Sequence, residues 1–248
     1  MKLTLAQPQI FKDSIGVISD LVTEARFNIT AQGITVVAMD PANVAMVVFK
    51  LFSSSFVENS LTTDVNIALN LSNIKQVFKR ISNNDVLTLA MEGNSKLLVT
   101  IAGKSTRKFS LPIIELDERE QKIPSLQFGY TVIMPASTLA DAIDDAGIIS
   151  DSVIFSGDAK KLNIAAVGDL SKVDIEIPHK DEVSITAETQ DPIRSKFSVD
   201  YMKKIMKGAN VADMIKIQVA KDYPIRAEFV QKDKVQLTFV LAPRVDND

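Results

Sequence analysis

The chain has 248 residues, 46% hydrophobic and 24% charged, which is enough for one large or two ordinary soluble domains with buried cores. It has no cysteine and a single histidine, His179, which excludes disulfides, thiolate metal sites and multi-histidine centres. Lys+Arg at 28 against Asp+Glu at 31 leaves a net charge of −3, a poor match to a protein that grips phosphate over its whole surface.

The opening residues, MKLTLAQPQIFKDS, lack the apolar run of a signal peptide, and no segment approaches the roughly 18 apolar residues of a membrane span. The expectation is a cytoplasmic protein with no membrane partner. Apolar periodicity predicts an amphipathic helix over about 8–22, then strands at ARFNIT (25–30), GITVVAM (33–39) and VAMVVFKL (44–51). A second helix over 72–81 precedes the strands DVLTLAM (85–91), KLLVTIA (96–102) and RKFSLPI (107–113). ELDEREQKIPSLQ (115–127), charged and aperiodic with one proline, reads as an exposed linker. Beyond it the order recurs: a helix over 136–147, strands VIFSG (153–157), KLNIAAV (161–167) and KVDIEI (172–177), and a helix over 199–208. The strands DMIKIQVA (213–220), PIRAEFV (224–230) and VQLTFVL (235–241) close the series.

That recurrence is an internal repeat at an offset of 128 (Phe27 on Phe155, Val36 on Ile164, Phe49 on Ile177). LNLSNIKQVFKRISNNDVLTL (69–89) falls on FSVDYMKKIMKGANVADMIKI (197–217), keeping the apolar set together with Lys75/Lys203, Lys79/Lys207 and Asp85/Asp213. Helices followed by runs of strands, twice over, predict an α+β fold with antiparallel sheets and helices on one face. The predicted division is 1–115, a linker at 116–127, and 128–248.

Helix 72–81 buries Leu71, Ile74, Val77, Phe78 and Ile81 and leaves Lys75, Lys79 and Arg80 on its other face; helix 199–208 leaves Lys203, Lys204 and Lys207. For an arbitrary protein such faces are simply solvated. The acids Glu115, Asp117, Glu118, Asp141, Asp144 and Asp145 could hold a metal as in a nuclease, but they lie on a linker or a helix face. There is no Gly-rich phosphate loop, nucleophile elbow or HExxH, and nine glycines leave little for a nucleotide cradle. No catalytic residue, cofactor or metal ligand is assigned.

Several stretches, in order and spacing, resemble the archaeal and eukaryotic proliferating cell nuclear antigen family over the full length, the archaeal type in particular. They are AMDPANVAMV (38–47), the linker LDEREQKIP (116–124), KRISNNDVLTL (79–89), the MPAS that opens the second half, and LAPRV (241–245) before an acidic tail. The resemblance implies a DNA sliding clamp, a non-enzymatic processivity factor. Two similar domains per chain, each with two helices on antiparallel sheets, would form a pseudo-six-fold ring as a trimer of this chain or of it with paralogues. The implied partners are encircled duplex DNA, bound without sequence preference, and DNA polymerase, flap nuclease, DNA ligase and clamp loader through short docking peptides. A two-domain adaptor that never encircles DNA is the alternative.

Carried over residue by residue, the resemblance implies three sites. Lys12, Lys75, Lys79, Arg80, Lys203, Lys204 and Lys207 would face DNA. Asp141, Asp144 and Asp145 depart from the family's basic third helix, and would repel phosphate or pair with Lys or Arg across a subunit contact. Met39, Asn43, Val44 and Met46 would form a partner-peptide pocket with Ile123, Pro124, Tyr223, Pro224, Val240, Ala242, Pro243 and Val245. Ordinary core packing is the competing account of Met39, Val44 and Met46, and Val240 stands where the family often has an aromatic residue, implying a shallower pocket. The subunit contact would join Arg107, Phe109, Leu111 and Ile114 of one edge strand to Lys172, Val173, Ile175 and Ile177 of another, head to tail.

Overall fold

The computed structural model describes residues 1–116, 121–188 and 193–245. The chain begins with β1 (Lys2–Leu5), α1 (Gln9–Ile18), β2 (Glu24–Thr30), β3 (Gly33–Met39), β4 (Ala45–Phe52), β5 (Glu58–Ser60) and β6 (Val65–Asn70). Then come α2 (Leu71–Phe78), β7 (Val86–Glu92), β8 (Lys96–Ala102) and β9 (Thr106–Pro112). The same series returns as β10 (Tyr130–Pro135), α3 (Ala136–Ile149), β11 (Ser152–Gly157), β12 (Lys161–Val167), β13 (Lys172–Pro178), β14 (Ser184–Ala187) and β15 (Ile193–Ser198). It closes with α4 (Val199–Met206), β16 (Met214–Val219), β17 (Ile225–Gln231) and β18 (Val235–Leu241).

Two compact units divide these elements. Unit one holds Met1–Pro41, Val47–Ile123 and Gln231–Leu237; unit two holds Ala42–Met46, Pro124–Val230 and Thr238–Asp248. In unit one a five-stranded sheet runs β5-β1-β7-β8-β9, and a second set runs β4-β3-β2-β6. In unit two the orders are β14-β10-β16-β17-β18 and β13-β12-β11-β15. Each strand of the second series stands where its counterpart nine strands earlier stands in the first. Registers repeat as well: Leu87 faces Ile101 and Ile215 faces Phe229, while Phe27 faces Ile67 and Phe155 faces Ser195.

Helices form where apolar residues recur at i, i+3, i+4 and i+7. α2 buries Leu71, Ile74, Val77 and Phe78, and its Asn70 side chain accepts the Asn73 N–H at 3.1 Å, capping the first turn. α4 buries Val199, Met202, Ile205 and Met206. In unit one Phe11 stacks on Phe49 at 5.9 Å and meets Phe78 edge-on at 5.2 Å, so helix and sheet share one apolar layer. In unit two Phe155 meets Phe197 at 5.5 Å. Each buried ring contributes about 2–3 kcal/mol of transfer free energy.

Three sequence expectations need correction. A strand, β1 or β10, precedes the first helix of each series, so neither series opens on a helix. β6 and β15 run into α2 and α4 with no intervening turn, which hid both strands. α1, α2 and α4 also stop short of their expected ends, at Ile18, Phe78 and Met206, whereas α3 runs past its expected end to Ile149: beyond Ile18, the Leu21 and Val22 N–H groups bond back to Ile18, and α4 tightens into a 3-10 turn at Lys207–Asn210. Among the described residues no helix is long and apolar enough to cross a membrane.

Candidate functional site

Most of the expected pocket residues lie in unit two, and β15 organises them. The Ser195 hydroxyl, 1% exposed, donates to the Ala220 carbonyl at 2.8 Å and accepts the Tyr223 N–H at 3.1 Å, holding the turn that carries Tyr223 and Pro224. The next β15 carbonyl, that of Lys196, accepts the Arg244 N–H at 2.7 Å. The Arg244 guanidinium donates to Ser152 Oγ at 2.5 Å and pairs with Asp151 at 2.8 Å. The Ala242 N–H donates to the Val44 carbonyl at 2.8 Å, so the loop carrying Asn43 and Val44 lies against Ala242 and Pro243. Phe128 meets the Tyr223 ring edge-on at 5.8 Å and lies under Arg226 at 5.0 Å.

Burial separates lining from core. Met46 and Val240 are buried, Val44, Tyr223, Pro224, Ala242 and Pro243 are half-buried, and Asn43, Pro124 and Val245 are exposed. Core packing accounts for Met46. Unit one contains the other two expected residues: Met39 is half-buried at the end of β3, and Ile123, 51% exposed, borders a hollow with Arg26, Val37 and Leu116. Sequence reasoning missed Ser152, Ser195 and Asp151, and read Arg244 only as one letter of a motif. The hydrogen bond of Arg244, then that of the Ser152 hydroxyl, holds the Asp151 carboxyl below its usual pKa.

The expected DNA-facing residues differ in their settings. In unit one Lys12 Nζ donates to the Ile81 carbonyl at 2.9 Å and Lys75 pairs with Asp20 at 2.5 Å, while Lys79 and Arg80 are exposed. In unit two Lys203 pairs with Asp144 at 3.1 Å, Lys204 lies over the Tyr201 ring at 5.3 Å, and Lys207 is exposed. Asp144 thus has a cation, Lys203, within its own chain. Asp141 and Asp145 border a hollow with Glu176, Asp181 and Glu182. Of the acids weighed as metal ligands, Asp117 and Glu118 lie outside the described residues. Among the described residues no group of three or more His, Asp or Glu is placed to hold a metal ion.

The expected subunit contact falls on β9 and β13, each terminal in its sheet. The Arg107 side chain turns back, donating to the Arg80 carbonyl at 2.8 Å and to Asp85 at 2.6 Å. Asp85 also accepts the Ser82 N–H, and that bond, followed by the one from Arg107, holds its pKa down. Ile114 lies beyond β9, and its N–H goes to Ala68. Phe109, Leu111, Val173 and Ile175 are half-buried on the inner faces of the two strands, and Ile177 is buried.

Comparison with known proteins covers the whole fold. Residues 1–121 match the family model described as proliferating cell nuclear antigen, N-terminal domain, and residues 122–244 match the C-terminal domain of the same family. A DNA polymerase sliding clamp of Nanoarchaeum equitans is 30% identical over 99% of this chain and 100% of its own length. The one from Pyrococcus furiosus is 33% identical over 95% of each chain. The crystal structure of the proliferating cell nuclear antigen of Thermococcus kodakaraensis superposes with a TM-score of 0.91 at 26% identity, covering 98% of this chain and 99% of that one.

Proposed function

The chain belongs to the proliferating cell nuclear antigen family, and from that premise we infer that it is a DNA polymerase processivity factor, a sliding clamp. Three copies close into a ring around duplex DNA and keep the polymerase from leaving it. The observation that carries this reading is the doubled series of nine strands and two helices with one strand order, which supplies six like modules from three chains. Enclosure, unlike adhesion, works at a net charge of −3: retention is topological, and phosphate contacts need only be weak and mobile.

At the finer level, residues 1–115 and 128–248 are the two clamp domains, joined by 116–127, and the chain acts in the cytoplasm on the nucleoid. Lys79, Arg80 and Lys207, with Lys12, Lys75, Lys203 and Lys204 beside them, face the DNA. Flap nuclease, ligase and clamp loader share the polymerase's docking place. There a short helical plug lies on the half-buried Val44, Tyr223, Pro224, Ala242 and Pro243, on segments that the Ser195 and Arg244 hydrogen bonds tie down. The catalytic work belongs to the partners.

The test is polymerase stimulation on primed circular DNA with a clamp loader, compared with the same template made linear. Wild type stimulates on the circle and falls off open ends. Val44→Asp, which puts a carboxylate onto the docking surface without a partner, should lose about tenfold or more of the stimulation while the ring still assembles. Equal stimulation on linear and circular templates sinks the clamp; full stimulation by Val44→Asp moves the docking place elsewhere.

A further inference from the structure

Next to the docking surface, the sheet β14-β10-β16-β17-β18 turns one face outward, and strand alternation decides what stands on it. In β17 Ile225, Ala227 and Phe229 are buried, so Arg226 and Glu228 take the outer face. In β16 Gln218 stands opposite Arg226, and Lys216 opposite Glu228. On the other side the Thr238 hydroxyl of β18 donates to Glu228 at 3.4 Å. Two residues along the same pair of strands, Arg226 therefore stands beside Val240, where the docking segment begins.

The Arg226 guanidinium lies over the Phe128 ring at 5.0 Å, and Phe128 meets the Tyr223 ring edge-on at 5.8 Å. All three side chains are half-buried, so one continuous row joins Arg226 to the docking surface. Among the described residues its side-chain hydrogen bond is a single long one, from Nη1 to the Gln218 amide oxygen at 3.4 Å. Glu228, the next acid along the strand, is engaged by Thr238 and faces Lys216 instead. A guanidinium held over a ring keeps its edge donors in a fixed fork and has already given up the rotamer freedom that binding an anion would cost. The local charge also favours an anion: Arg194 and Lys196 on β15, with Lys221 in the turn, outnumber Asp222 in a chain whose net charge is −3.

We propose that Arg226 is a specificity residue of the docking surface: it takes the carboxylate of an Asp or Glu placed beside the apolar plug of a partner peptide, and so ranks the peptides that compete for the clamp. This deepens, and rests on, the docking place proposed above. The plug covers Val44, Tyr223 and Pro224, and the acid beside it reaches the Arg226 fork past the Tyr223–Phe128 pair. The contact is charge-assisted, and the ring beneath it keeps water from one side. An amide of the same shape would lose the charge. Its NH2 group would also face a donor with a donor, which forfeits one of the two hydrogen bonds.

Calorimetry with paired synthetic peptides tests this. Each peptide carries apolar and aromatic anchors on one helical turn, with Glu or Gln at one flanking position, and that position is moved along both flanks. At one position the Glu peptide should bind wild type about five- to tenfold more tightly than its Gln twin. The ratio should shrink toward one in about 1 M salt, where screening acts within about 3 Å. Arg226→Gln should bind the two peptides alike, and Arg226→Lys, a point charge without the fork, should keep a ratio of about two. A general loss of structure weakens both peptides together and leaves the ratio standing, so the ratio isolates the contact. A ratio of one at every position in wild type, or a ratio that survives Arg226→Gln, overturns the role of Arg226 and spares the docking place. Wild type that binds neither peptide overturns the docking place, and this proposal with it.

Discussion

Arg244 joins three stretches of chain: its backbone N–H goes to Lys196, and its guanidinium to Ser152 and Asp151. Replacing it by Ala should free the segment that carries Ala242 and Pro243. Affinity for a docking peptide should fall about threefold to tenfold, the scale of one or two lost net hydrogen bonds. The accompanying signature is electrostatic. In wild type the Asp151 carboxyl titrates below an ordinary aspartate, so its contribution to stability is complete above the unfolded pKa of about 3.9 and is lost as pH falls through the lower folded value. Carboxyl NMR titration of Arg244→Ala should find the Asp151 pKa moved up toward the ordinary range; an unmoved value would break the assignment. Little of this was readable from residues. Arg244 and Ser152 stand 92 positions apart, and no periodicity encodes a hydrogen bond between them. Ala242 and Pro243 were readable, because proline ends strand pairing and leaves irregular backbone.

At the scale of elements, apolar periodicity located all four helices and missed six short strands. β6 and β15 were lost because Val65–Asn70 and Ile193–Ser198 pass straight into helix, their last residues serving as the caps of α2 and α4, so no turn separates the two periods. The charged faces of α2 and α4 were legible as faces, but their internal partners Asp20 and Asp144 were not. That difference separates two sets of substitutions. Lys75→Ala and Lys203→Ala each remove a partly exposed ion pair, worth about 0–1 kcal/mol, and should change DNA-dependent stimulation little. Lys79→Ala with Arg80→Ala removes exposed charge at the end of α2. The logarithm of stimulation against the logarithm of salt should then become shallower by about one to two units. Identical salt slopes for both sets would turn α2 away from DNA.

For the whole molecule, the offset of 128 was the most legible fact, because a repeated fold needs its apolar pattern kept and little else. The pattern could not say which strands would be terminal, since that depends on which backbone rows the chain covers itself. Odd-numbered residues of the terminal strands β9 and β13 bond to β8 and β12, so the backbone groups of Ser110 and Asp174 point away from their own sheets. Ser110→Pro or Asp174→Pro therefore removes a ladder donor and adds bulk at the contact while sparing the bonds to β8 and β12. Each variant should sediment as a folded monomer with unchanged circular dichroism. A trimer in both would place the subunit contact elsewhere.

One strand order present twice in one chain also gives the folding polypeptide two near-equivalent berths for every strand. Divergence between the copies makes the wrong berth costly. In its own place Thr4 of β1 shares hydrogen bonds with Thr88 and Glu58, whereas the corresponding position in β10, Ile133, faces Lys216. An exchange of β1 and β10 would set Ile133 among hydroxyls and a carboxylate, and would put Thr4 beside an ammonium with its own acceptors left behind. The low identity between the halves thus acts as an address system during folding, steering each strand home and discouraging swapped, tangled chains at the concentrations a growing cell maintains.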